Sequence, residues 1–197
     1  MALPKLQTTE YKLTLPSTQE EIKFRPFLVK EQKILMIAQE SGDENQIGAA
    51  VGQLVSGCTF GSVDANVNPM FDIEYVFLQL RSKSVGAKLK LMVTCPDDNE
   101  TQVEVEVDID DIGVQMSLEH TQDVEITDDI SLRFRYPKLK DLQGMSGELS
   151  DFEKTLILIV ECVDQITSGG ETIERIDMTK DEIVEFIDSM NASQLEN

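Results

Sequence analysis

Between Phe71 and Gly86 the polar residues fall where a surface helix would not place them. Wound at ~100° per residue, Asp72, Gln79 and Lys83 share one narrow stripe, and Glu74 and Arg81 share the opposite one. Two apolar faces lie between the stripes: Phe71, Tyr75 and Leu78 on one side, Ile73, Val76, Phe77 and Leu80 on the other. An ordinary surface helix has a single apolar face. The pattern therefore predicts a helix sandwiched between two layers, with Phe71, Tyr75 and Phe77 as packing or partner contacts. Asn68-Pro69 offers an N-cap followed by proline at the first helical position, and Gly86 offers a left-handed stop.

Upstream, Tyr11–Leu15 and Ile22–Arg25 alternate as two short strands around a Pro-Ser-Thr-Gln turn, a β-hairpin. Residues 30–40 carry strong helix formers with Ile34, Leu35 and Ala38 at helical spacing, and Asp43 can cap a second helix ending near Gly57. Residues 57–69 lack apolar periodicity and form the loop, expected to be mobile, that delivers the double-faced helix.

After Gly86 the period changes to two. Lys88–Thr94 is followed by Gln102–Ile109, where Val103, Val105, Val107 and Ile109 alternate with Glu104, Glu106, Asp108 and Asp110. One face should be core and the other solvent or partner. Strands are also expected near Val114–Met116, Asp123–Ile126 and Ile130–Arg135, with Pro137 ending an antiparallel section. Phe152, Leu156, Ile159, Val160, Val163 and Ile166 recur as one helical face, broken at Gly169-Gly170. A last helix opens on the capping box Thr179–Glu182 and carries Ile183, Phe186, Ile187 and Met190. The expected fold class is α+β: an N-terminal hairpin and helices (1–86), a central acidic antiparallel section (87–137) and C-terminal helices (138–197), an order that one compact domain would also accommodate. No internal repeat is evident.

Two blocks carry a family resemblance. Phe71-Asp72-Ile73-Glu74-Tyr75 running into Arg81-Ser82-Lys83-Ser84-Val85-Gly86, and Leu15-Pro16-Ser17-Thr18 followed by Ile22-Lys23-Phe24-Arg25-Pro26-Phe27-Leu28-Val29-Lys30-Glu31, resemble the baseplate hub and hub assembly proteins of T-even-like contractile-tailed phages and their cyanophage relatives. The resemblance implies a structural or assembly role without catalysis. It implies protein–protein contacts with other hub, tail tube or wedge components, an oligomeric place in a symmetric assembly, and a location in the virion tail baseplate after assembly in the host cytoplasm. A transient chaperone absent from the finished particle is the alternative; a metal-dependent or hydrolytic enzyme is a remote one.

Charge narrows the partners. With 37 acidic against 17 basic residues, a net charge of −20 opposes binding to nucleic acid or an anionic membrane surface. Thirteen carboxylates lie between Met92 and Leu132 with no lysine or arginine among them. They form either the solvated face of a sheet or a surface for a basic partner, which makes Glu104 and Glu106 candidate contacts. Basic residues flank this block: Arg81, Lys83, Lys88 and Lys90 before it, Arg133, Arg135, Lys138 and Lys140 after it. They read as intramolecular pairing or as a docking patch for an acidic partner. Arg25, set beside Phe24 and Phe27, either fixes the hairpin to the first helix or contacts a partner.

No catalytic, metal or cofactor site emerges. Asp108, Asp110, Gly113 and Glu119 match part of a calcium loop, but Ile112 stands where a side-chain oxygen is needed and the flanks read as strands. Cys95-Pro96-Asp97-Asp98 is half a zinc knuckle whose second sulfur is replaced by Asp98, so it reads as a turn. His120 is the only histidine and lies in no known catalytic motif. Cys58, Cys95 and Cys162 are odd in number and widely spaced, which favours free thiols in a reducing compartment. The longest apolar run, Leu156–Val160, is far short of the ~20 residues that span a bilayer, and the N-terminus has no signal-peptide pattern.

Overall fold

A computed structural model describes residues 8–117, 119–142, 145, 149–191 and 194. The chain is α+β and divides into two compact units, Met1–Gln115 and Met116–Asn197. In the first unit the hairpin β1 (Tyr11–Thr14) and β2 (Glu21–Phe24) leads into helices α1 (Val29–Ser41) and α2 (Glu44–Cys58). Alternation turns Leu13, Leu15, Ile22 and Phe24 inward. Asp43 caps α2 by accepting the N–H groups of Asn45 and Gln46 at 2.9 and 3.4 Å. The loop after α2 is anchored: Thr59, Val63 and Ala65 are buried, and the Thr59 hydroxyl bonds back to the Val55 carbonyl at 2.8 Å.

Helix α3 (Met70–Val85) follows, and Gly86 stops it at φ 117°, a region open to glycine. Asn68 does not cap it; its side-chain oxygen accepts from the Asp64 N–H at 2.9 Å, and no side chain caps the helix. Burial is also not symmetric. Ile73, Val76 and Leu80 are completely covered, whereas Phe71, Tyr75, Phe77 and Leu78 are half-buried. One expected polar position is inverted: Asp72 is fully buried, because its carboxylate receives both the N–H (3.1 Å) and the hydroxyl of Ser17 in the β1–β2 turn.

The central acidic section is not one sheet. Strands β3 (Lys88–Thr94) and β4 (Gln102–Asp108) form an isolated antiparallel pair in the first unit. After it comes a single 3₁₀ turn, Ile109–Asp111, which sets Ile109 into the core beside α3. Residues 112–117 are not a strand. Strands β5 (Asp123–Thr127) and β6 (Ile130–Phe134) belong to the second unit, in the four-stranded order β5-β6-β7-β8.

The long C-terminal helical stripe divides. Helix α4 (Asp151–Cys162) gives way at Val163 to strand β7 (Val163–Ser168), and β8 (Glu171–Glu174) pairs with it. A bulge where β6 meets β7 leaves Asp164 without an opposite residue. Val163 and Ile166, three positions apart, therefore both reach the core, and the sequence spacing imitates a helix. Gly169 and Gly170 both have positive φ, as a two-residue hairpin turn requires, so they join strands and do not merely break a helix. Helix α5 (Lys180–Asp188) opens on its expected Thr179–Glu182 box, and Ile183 and Ile187 pack with Leu132, Val160, Val163 and Ile166.

Candidate interaction surfaces

The residues behind the family resemblance are joints within the first unit. Ser17 of the early block holds Asp72 of the later one, and the Phe27 N–H donates to the Ser84 hydroxyl at 3.0 Å. Ser82 and Lys83 both bond to Asp110, at 2.6 and 3.0 Å, and hold its carboxyl below its ordinary range, the Ser82 hydrogen bond most of all. Arg81 reaches the Gly86 carbonyl at 3.0 Å, closing the end of α3. Two blocks remote in sequence thus clasp each other. The pairing Ser17–Asp72 leaves no periodic signal by which sequence alone would find it.

Arg25 is committed inside the first unit. Its guanidinium donates to Glu31 at 3.0 Å, to the carbonyls of Pro26 and Gly57 at 3.0 and 3.3 Å, and towards the Cys58 sulfur at 3.6 Å. Glu31 also accepts the Leu28 N–H at 2.7 Å. Burial by itself raises the Glu31 pKa, but the Arg25 hydrogen bond, the Leu28 N–H and the Arg25 charge together hold it below normal.

The second unit repeats this constellation. Ile22-Lys23-Phe24-Arg25 with Glu31 has its counterpart in Leu132-Arg133-Phe134-Arg135 with Asp141, the acid six positions after the arginine in both. Arg135 binds both Asp141 oxygens at 2.6 and 2.9 Å, the Tyr136 carbonyl at 3.2 Å and the Glu161 carbonyl at 2.7 Å. Its backbone N–H meets the Cys162 carbonyl at 2.9 Å, as that of Arg25 meets Cys58 at 3.0 Å. Asp141 takes the Lys138 N–H at 2.7 Å. In each node a buried cysteine thiol is pushed up to about 11 by burial, so neither is a nucleophile at neutral pH. In sequence only a short Ile/Leu-Lys/Arg-Phe-Arg match marks the two nodes, too little to stand out as a repeat; their shared bonding makes the correspondence plain.

The eight expected contact residues lie in three places. Arg25 and Phe27 sit at the joint between β2 and α1; Phe71, Tyr75, Phe77 and Arg81 lie along α3; Glu104 and Glu106 are exposed on β4. The flanking cations are largely paired in the chain: Lys88–Glu106 at 2.6 Å, Lys90–Glu104 at 2.8 Å and Arg133–Asp123 at 2.7 Å. Arg135, Lys140, Arg175 and Lys180, with Asp141 and Glu161, line a polar recess of about 600 Å³ in the second unit.

Other polar candidates are occupied by local bonds. Asp108 caps the 3₁₀ turn by accepting the Asp110 N–H at 3.0 Å. Asp98 accepts the Thr101 hydroxyl and the N–H groups of Thr101 and Glu100, which lowers its pKa to about 2. His120 stacks on Tyr136 with ring centroids 5.7 Å apart. Among the described residues no three His, Cys, Asp or Glu side chains are grouped to hold a metal ion, and no helix is long and apolar enough to cross a membrane. We expect elemental analysis after dialysis against a weak chelator to find no stoichiometric calcium or zinc; one tightly held ion per chain would overturn the structural role of Asp108–Glu119 or of Cys95–Asp98.

The residues that carry the resemblance are structural joints of an α+β chain, and several large apolar side chains are exposed at its surface. Residues 8–197 match the family described as T4 bacteriophage base plate protein, and the chain belongs to that family. Among its relatives is the baseplate hub assembly protein gp26 of Enterobacteria phage T4, 25% identical over 192 residues that cover 94% of this chain and 79% of the relative. No solved structure matches the chain.

Proposed function

We propose that this protein is a structural subunit of the baseplate hub of a contractile phage tail, acting by protein–protein contact with other hub, tube or wedge components and without catalysis. One observation carries the reading: large apolar side chains are exposed at several separate places in both units. Val29, Met36 and Ile37 stand out from α1; Leu91, Val93, Val103 and Val105 from the β3–β4 hairpin; Phe152 and Ile176 from the second unit. Scattered single exposures are ordinary on a monomer, but clusters on a helix and on a hairpin suit a subunit with more than one neighbour.

The second reading is a transient assembly factor. The phage T4 relative, a baseplate hub assembly protein by name, favours it, and so does the hairpin, a compact apolar surface that one client after another could use. Quantitative mass spectrometry of purified virions beside infected-cell lysate separates the two. A hub subunit is present in intact particles at a fixed ratio to known tail proteins; detection of those proteins with none of this chain, while it is abundant in lysate, replaces the subunit by the assembly factor.

A further inference from the structure

The β3–β4 hairpin is built like a piece of a larger sheet. Leu89, Leu91 and Val93 stand directly opposite Val107, Val105 and Val103, so one whole face is aliphatic. The other face carries Lys88, Lys90 and Met92 opposite Asp108, Glu106 and Glu104. Such alternation belongs to a sheet with one face on a core, yet Leu91, Val93, Val103 and Val105 are 45, 46, 50 and 40% exposed. Among the described residues the sheet has these two strands, so each has an outer edge of backbone donors and acceptors without a ladder partner there. Two-stranded hairpins in water are marginal structures.

Resting on the baseplate reading above, we propose that the β4 edge receives an extended strand of another protein in which aliphatic residues alternate with lysine or arginine. The added strand completes the backbone ladder. Its aliphatic side chains prolong the Val103, Val105 and Val107 face. Charge selects the rest of its sequence. The hairpin's two cations are already paired with Glu106 and Glu104, while Asp97, Asp98, Glu100 and Asp108 add carboxylates without any further cation between Lys90 and Asp108. Side chains opposite Glu104 and Glu106 in a new ladder would lie about 5 Å from them, where a cation is favoured and a carboxylate repelled.

A second copy of the chain is a poorer occupant. Joining β4 to β4 sets Glu104 and Glu106 against acidic partners, and joining β3 to β3 sets lysine against lysine. Joining β3 to β4 matches signs but aligns the acidic turns at Asp97, Asp98 and Glu100 side by side, in a chain of net charge −20. Stacking two aliphatic faces covers a strip about 23 Å long and about 10 Å wide per copy, far below the ~800 Å² per partner of stable complexes.

The test uses the full-length protein and three synthetic nine-residue peptides: alternating Val-Lys, the same composition in blocks, and alternating Val-Glu. Amide hydrogen exchange is read residue by residue. The alternating Val-Lys peptide is expected to slow exchange in Gln102–Asp108 by about tenfold, with α3 unchanged; the block and Val-Glu peptides are expected to have no such effect. Glu104→Lys with Glu106→Lys should move the preference to the Val-Glu peptide. Val103→Thr with Val105→Thr keeps the charges and should abolish protection, so the idea stays testable if the charge variant does not fold. Equal protection by the block peptide shows unspecific charge attraction and overturns the proposal. So does protection confined to β3, or a concentration-dependent oligomer of the parent protein with β4 protected in the absence of peptide. Because the readout is on the isolated protein, a negative result leaves the baseplate role standing, and absence from virions leaves the strand site standing.

Discussion

Replacing Arg25 with Met is expected to destabilise the first unit by about 3 kcal/mol, because it removes the main charge partner of a buried carboxylate and leaves Glu31 with the Leu28 N–H and the exposed Lys30 ammonium at 3.3 Å. The side chains of Arg25 and Glu31 are only 12% and 8% exposed, and three further acceptors, the Pro26 and Gly57 carbonyls and the Cys58 sulfur, also lose their donor. Arg135→Met should act likewise on the second unit, where Asp141 loses both bonds of a bidentate pair and the Glu161 carbonyl loses another. Urea unfolding followed by probes placed in each unit measures both effects. Glu31→Leu added to Arg25→Met should recover much of the loss, since an apolar pair needs no charge compensation. Equal stability of the parent and Arg25→Met would show that the node is solvated and not structural.

The same nodes set a pH dependence whose sign follows from their carboxylates. Glu31 and Asp141 have folded pKa values held below their ordinary ones, the depression by arginine and backbone N–H groups outweighing the opposite push of burial. Their contribution is present at neutral pH and is lost as pH falls below the ordinary carboxylate range through the depressed values. The parent should therefore lose stability on acidification more steeply than the variant that combines Arg25→Met with Glu31→Leu.

Leu80→Asp is expected to unfold the first unit outright, since placing a carboxylate in a site with no exposure costs several kcal/mol, roughly half or more of the total stability of an ordinary domain. Phe77→Asp on the same helix should behave differently. Phe77 is half-buried, so the variant should keep its fold, as judged by circular dichroism and a cooperative thermal transition, while losing incorporation into tails in complementation of a deletion phage. If Phe77→Asp unfolds the protein as completely as Leu80→Asp, α3 is covered on both sides within this chain. If it folds and also assembles like the parent, the outer face of α3 meets no neighbour.

Several features were legible along the chain because they depend on neighbours a few residues apart. The β1–β2 hairpin, the Asp43 cap, the Gly86 stop and the Thr179–Glu182 box are local hydrogen-bonding choices written in residue type and spacing. The inward set Ile183 and Ile187 follows from a helical period. The α+β class and the family blocks were readable on the same grounds. Tertiary structure alone decided the rest. A helical spacing ran on through Val163 and Ile166, but an open edge of β6 and a bulge at Asp164 made a strand of them. Asp72 looked like a surface residue until Ser17, 55 positions away, was brought to it. The aliphatic face of β3–β4 obeys the alternation of a buried strand, yet Leu91, Val93, Val103 and Val105 stay exposed, because among the described residues no layer packs over them. Periodicity states which residues share a face; what covers that face depends on chain returning from far along the sequence, or from another molecule.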